Sequence, residues 1–210
     1  MALIKGLLAS FDNPLLGFVP TIVLFQYNPA EIARVFRAEA AGAAAQGGRS
    51  GAALNAAVPP VEDYTIKLEL DATDGLEREG PITITNGIAP RLAALEMLMQ
   101  PIGSSLLGGL VGGLLGGGGT AIPAGKLPVV LFVWGPGRVT PVRMTSLSIR
   151  ETAFDELLNP IHATGDVGLR VLRQADLGAG DTFASAAAAY YQGLREVRAV
   201  LQIAQNAELA

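Results

Sequence analysis

From Tyr64 to Asp71 the chain alternates without a fault: Tyr64, Ile66, Leu68 and Leu70 are apolar, while Thr65, Lys67, Glu69 and Asp71 are polar. Successive side chains of a strand point to opposite faces, so a period of two buries one face and leaves the other to water or a polar surface. Two further runs, Thr21 to Tyr27 and Val129 to Trp134, are apolar but for Thr21 and Gln26 and bounded by Pro or Gly, which suits strands covered on both faces. Between Val142 and Ile149 the phase changes. Val142 and Met144 share one parity and Leu147 and Ile149 the other, so the spacing predicts a bulge near Thr145-Ser146. Asp166 to Arg173 resumes the alternation with Val167, Leu169 and Val171 inward. Five or six such strands, separated by turn signals, predict an antiparallel barrel or sandwich, mainly β with flanking helices.

Two segments read as helices. Pro90 to Gln100 carries Leu92, Leu95 and Leu98 or Met99 at helical spacing, a stripe that predicts core packing. At the end of the chain Phe183, Ala187, Tyr190, Leu194, Val197, Leu201 and Ala204 follow alternating spacings of four and three, with Asp181 placed to cap the start. This seam fits two uses equally well: covering the chain's own sheet, or docking on a neighbouring subunit. The expected organisation is a β domain over residues 1–175, interrupted by insertions at 37–60 and 101–126, with a helical extension over 176–210. Arg37 to Pro60, rich in Ala and Gly, reads as a long surface loop or a marginal helix.

Chemistry is sparse. Cysteine is absent, which excludes disulfides, thiolate metal sites and thiol nucleophiles, and His162 is the single histidine. Gly125-Lys126 is followed by Leu127, which has no hydroxyl for magnesium, so a phosphate loop is rejected. Gly178-Ala179-Gly180-Asp181 reads as a turn and helix cap. Asp71, Asp74, Glu77 and Glu79 lack the order of a calcium loop and read as a solvated turn. No readable triad surrounds His162, so it is taken as structural and no enzyme, cofactor or metal is expected. A formal net charge of -4 leaves no basic footprint for nucleic acid. Only 16% of residues are charged, too few to cover a lone subunit comfortably, which predicts apolar surface shared with other subunits.

Two stretches invite a membrane reading. The apolar run within Met1 to Phe11 is too short for a signal peptide and ends at Asp12-Asn13-Pro14. Met97 to Gly125 holds no charged residue, and Leu106, Leu110 and Leu114 fall among overlapping small-xxx-small spacings. Pro101 and Pro123 bracket that stretch and no Lys or Arg cluster flanks it, so it reads as a flexible apolar loop. The alternative is a membrane-associated assembly protein that inserts residues 102–125.

Three blocks taken in order carry a family resemblance: Phe25-Gln26-Tyr27-Asn28-Pro29-Ala30-Glu31, Leu131-Phe132-Val133-Trp134-Gly135, and Ser146 to Asp155. Together they resemble the tube and baseplate-adaptor proteins of contractile injection systems, the phage-tail-like machines. The likeness covers roughly Phe18 to Gln174. Asn28 and Pro29 match the family's first-strand stop, Trp134 and Gly135 the strand end before a hairpin, and Leu147, Ile149, Thr152 and Phe154 the strand that follows. The resemblance implies a tail-tube-like β barrel with a flanking helix. It also implies a hexameric ring between the spike protein and the inner tube protein, touching other baseplate subunits, with assembly in the cytoplasm into a phage-tail-like particle. Where the family has a Gly-x-Pro turn and a basic residue, Asn159-Pro160-Ile161-His162-Ala163 stands here, so a contact through that basic residue is not carried over. Many members continue into a LysM-type peptidoglycan-binding module. Only the heptad helix follows here, and wall binding is not carried over either.

Overall fold

The structure, a computed structural model, describes residues 4–10, 21–38, 59–101, 127–135, 137–178 and 180–208. Seven strands form one antiparallel sheet: β1 (Leu7–Ser10), β2 (Thr21–Leu24), β3 (Ile32–Arg37), β4 (Val61–Asp71), β5 (Val130–Val133), β6 (Val139–Phe154) and β7 (Pro160–Val171), in the order β2-β1-β5-β6-β7-β4-β3. The mainly β class with flanking helices holds. The sheet is not closed as a barrel, because β2 and β3 stand at opposite edges and do not pair with each other.

The alternation in β4 does what its period requires: Tyr64, Ile66, Leu68 and Leu70 are buried, and β7 sets Leu169, Val167, Gly165 and Ala163 opposite them. The bulge in β6 is present. Met144 pairs Leu169 and Ser146 pairs Gly168, which leaves Thr145 as the extra residue. Gly168 admits it, because a Cβ there would collide with the Ser146 hydroxyl.

Short helices α1 (Thr73–Glu77) and α2 (Pro81–Asn86) lead into α3 (Ala89–Met97), whose Leu92 and Leu95, with Leu98 just beyond it, enter the core as their spacing predicts. Helix α4 (Thr182–Glu208) closes the described chain. Tyr191 of α4, the α3 leucines and the inward residues of β4, β5 and β7 belong to one continuous core.

The expectation that Thr21 to Tyr27 is covered on both faces is corrected. The strand ends at Leu24, and Val23 and Phe25 are buried while Ile22, Leu24 and Tyr27 are exposed. The reason is that one face alone packs on the core: Val23 and Phe25 point into it, and Ile22 and Leu24 point to the opposite face of this edge strand. Val129 to Trp134 comes closer to its expectation, since β5 lies between β1 and β6, and Val130, Leu131 and Phe132 are all buried.

Candidate assembly surfaces

Asn28 pairs with the segment before β1 through its side chain in place of its backbone. Its side-chain oxygen accepts the Gly6 N–H at 2.9 Å and its side-chain nitrogen donates to the Ile4 carbonyl at 2.8 Å. One amide therefore replaces the donor and acceptor of a ladder residue just beyond the Phe25 N–H to Gly6 carbonyl bond. Pro29 has no N–H to donate, so pairing stops at this dipeptide.

Against this end pack Phe25, Phe132 and Trp134. Ring centroids lie 6.4 Å apart for Phe25 and Phe132, 6.4 Å for Phe25 and Trp134, and 6.2 Å for Phe132 and Trp134. A Cβ on Gly6 would sit 2.6 Å from the indole, so the backbone of the segment before β1 lies directly on Trp134. Gly135, at φ +70°, then turns the chain, and the Trp134 N–H reaches the Arg138 carbonyl at 2.9 Å. Trp134→Ala is expected to lower stability by about 3 kcal/mol, at the low end for a large aromatic because the indole is only half-buried. Urea titration measures it; an unchanged midpoint would place the ring outside the core.

At the other edge lies a polar cluster that the periodicity conceals. Glu62 is 2% exposed, in phase with Tyr64, Ile66, Leu68 and Leu70. Its carboxylate accepts from Arg34 at 2.6 Å, from the Tyr191 hydroxyl at 2.8 Å and from Arg195 at 3.3 Å. Tyr64 and Tyr191 share a hydroxyl contact of 3.0 Å. Burial, then the bond to Tyr191, pushes the Tyr64 hydroxyl far above its ordinary range, and burial raises Tyr191 too, so both stay protonated. Arg34 and Arg195 also both lie over the Phe36 ring. The cluster thus ties α4 to β3 and β4. An acidic residue at an inward position of an alternating strand was the signal available in the sequence.

The stripe that docks α4 on the body is Ala184, Ala188 and Tyr191, all buried. The heptad seam lies one residue back, about 100° around the helix. There Tyr190 is 50% exposed, Val197 58% and Leu201 57%, while Leu194 is half-buried. From Glu196 to Asn206 every residue is exposed, and Arg198 ties this outer part to the turn between β5 and β6 by donating to the Gly137 carbonyl at 3.2 Å.

His162 has partners that the sequence did not reveal. Thr152 Oγ1 lies 2.6 Å from His162 Nδ1, and His162 Nε2 lies 3.2 Å from Glu69 Oε1. Hydroxyl, imidazole and carboxylate stand in line across β6, β7 and β4, but Thr152 and Glu69 are exposed, and the pocket that Glu69 lines does not include Thr152 or His162. Spread over the exposed ends of three neighbouring strands, the arrangement forms a cross-strand polar ladder. Asp71 accepts the Thr73 N–H at 2.6 Å, and its bonds from Thr73 hold its carboxyl below the usual range, as a turn residue. Among the described residues no cluster of three or more His, Asp or Glu is arranged to hold a metal. No described helix is long and apolar enough to cross a membrane.

The other flagged positions divide. Phe154 is 48% exposed at the end of β6. Leu106, Leu110 and Leu114 lie outside the described residues, as does most of the expected insertion at 37–60. No known protein-family model matches the chain, and no curated protein aligns with it at significance.

Proposed function

We propose that this chain is a structural subunit of a contractile injection system, forming a ring in the baseplate layer that joins the spike to the inner tube. The observation that carries the reading is the open sheet with apolar residues on both edge strands. Ile22 and Leu24 of β2 are 56% and 53% exposed, and Val35 and Phe36 of β3 are 44% and 46% exposed. Exposed edges are normally blunted in a monomer, because unpaired N–H and C=O groups recruit other strands. Here β2 of one copy has its complement in β3 of the next, and pairing them around a closed ring would remove every edge. The exposed seam of α4 supports the same reading, since it offers a second apolar surface away from the sheet. The residues serve assembly, and no catalytic step is assigned to them.

Expression with the inner tube and spike proteins of the same particle tests this. The expected result is a hexameric species of this chain that co-purifies with both and appears as a ring layer in electron microscopy. A chain that stays monomeric at high concentration with both partners present overturns the reading. Recovery in the membrane fraction after alkaline carbonate extraction would favour insertion of residues 102–125 instead.

A further inference from the structure

The turn between β6 and β7 is rigid and presents two leucines outward. Asp155 Oδ1 accepts the N–H groups of Leu157 and Asn159, each at 2.8 Å, and Asn159 Nδ2 donates to Asp155 Oδ2 at 2.9 Å. The side-chain bond from Asn159 leads in holding the Asp155 carboxyl below its usual range. Asn159 Nδ2 also reaches the Thr85 carbonyl at 3.1 Å, and the Ile88 N–H reaches the Pro160 carbonyl at 2.8 Å, so the turn is bolted to the end of α2. Within this frame Leu158 adopts φ +64°, a conformation that bulky residues avoid. Yet Leu157 and Leu158 are 77% and 79% exposed. Folding of the single subunit gains almost nothing from either side chain.

A matching hollow lies at the other end of β7. Between α4 and the ends of β4 and β7 is a cavity of about 430 Å³, walled by apolar groups of Pro59, Pro60, Val171, Leu172, Ala188 and Ala189. That volume is in the range of about 300–1,000 Å³ typical of ligand pockets, roomy enough for two leucine side chains. Its polar lining holds two arginines to one carboxylate, with Arg195 paired to the buried Glu62 and Arg173 to Asp176 behind the rim, and the turn carries the exposed Glu156 next to its leucines. Knob and hollow match in apolar character, and Glu156 would approach a rim in which arginine outnumbers carboxylate. The 12 residues of β7 span about 36 Å, so a copy cannot fill its own hollow with its own turn.

We propose that the Leu157-Leu158 turn of one copy seats in the hollow between α4 and the sheet of a second copy. The two halves of this contact lie on different surfaces, so it is head-to-tail and repeats into a ring or filament. It does not depend on the injection-system reading.

The absence of cysteine makes a direct test simple. Leu157→Cys and Ala189→Cys are made in separate full-length chains, mixed, and oxidised. Disulfide-linked heterodimers in excess over both homodimers are expected. Predominant Leu157→Cys homodimers would show a tip-to-tip contact and overturn the proposal. In parallel, Leu157→Ser with Leu158→Gly removes the knob and suits the positive φ, while Ala189→Trp fills the hollow. Each is expected to weaken self-association in sedimentation velocity at least tenfold, and a mixture of the two to recover it, because each supplies the half that the other lacks. Unchanged association of both variants, a wild type that stays monomeric, or vesicle flotation that the knob variant abolishes would each overturn the proposal.

Discussion

Replacing Arg34 and Arg195 together by methionine is expected to lower the stability of the folded subunit by about 3–5 kcal/mol, the cost of leaving a buried charge without its partners. The carboxylate of Glu62, 2% exposed, would keep only the Tyr191 hydroxyl at 2.8 Å. The reciprocal change is milder. Glu62→Gln keeps an acceptor for Tyr191 and leaves the arginines, 36% and 39% exposed, free to turn toward water, so about 1–2 kcal/mol is expected. Urea unfolding followed by circular dichroism measures both. The asymmetry is the test, because burial of the acid and partial exposure of the bases predict it. Equal losses, or a larger loss for Glu62→Gln, would mean that the carboxylate is not the buried charge around which α4 is fastened.

Periodicity exposed the parts of the fold in which one face is buried. From Tyr64 to Leu70 of β4 and from Ala163 to Val171 of β7 the inward side chains are apolar, and in β6 the parity jump could only be absorbed by an extra residue, found at Thr145. The same logic hid the rest. Strand β1 is four residues long and pairs with β5, at least 120 positions away, so its local pattern carries no period to read. Strand β3 is an edge with five of its six residues exposed, and burial imposes no alternation on it. The sequence hides Glu62 because charge is ordinarily a sign of the wet face, and its inward side depends on Arg34 and Arg195 arriving from β3 and α4. For His162, Thr152 and Glu69 lie on neighbouring strands, 10 and 93 residues away along the chain. Asn28 was legible as a stop, but its role as a stand-in ladder residue required the position of Ile4 and Gly6.

The double change Val197→Asp with Leu201→Asp is expected to leave the isolated subunit within about 0.5 kcal/mol of wild type and, under the ring-subunit role proposed above, to weaken its incorporation into the particle at least 100-fold. The first half follows from exposure: the two side chains are 58% and 57% exposed, and changes at exposed sites rarely move stability further. The second follows from what an assembled seam would do to them. Two carboxylates desolvated without partners cost several kcal/mol, and each 1.4 kcal/mol is a tenfold loss of affinity. Helical periodicity could not separate this seam from the stripe that holds α4 to its own body, because Ala184, Ala188 and Tyr191 repeat the same spacing one residue later. Ala188→Asp is therefore the control, since it places a charge on the buried stripe and should undock the helix in the isolated subunit. Circular dichroism and urea unfolding report on folding, and co-purification with the tube and spike proteins reports on incorporation. If the seam change destabilises the subunit as much as Ala188→Asp does, α4 is an internal strut throughout its length. If it folds and incorporates normally, the apolar residues of the outer helix serve no contact in the particle, and the outer half of α4 must be explained in another way.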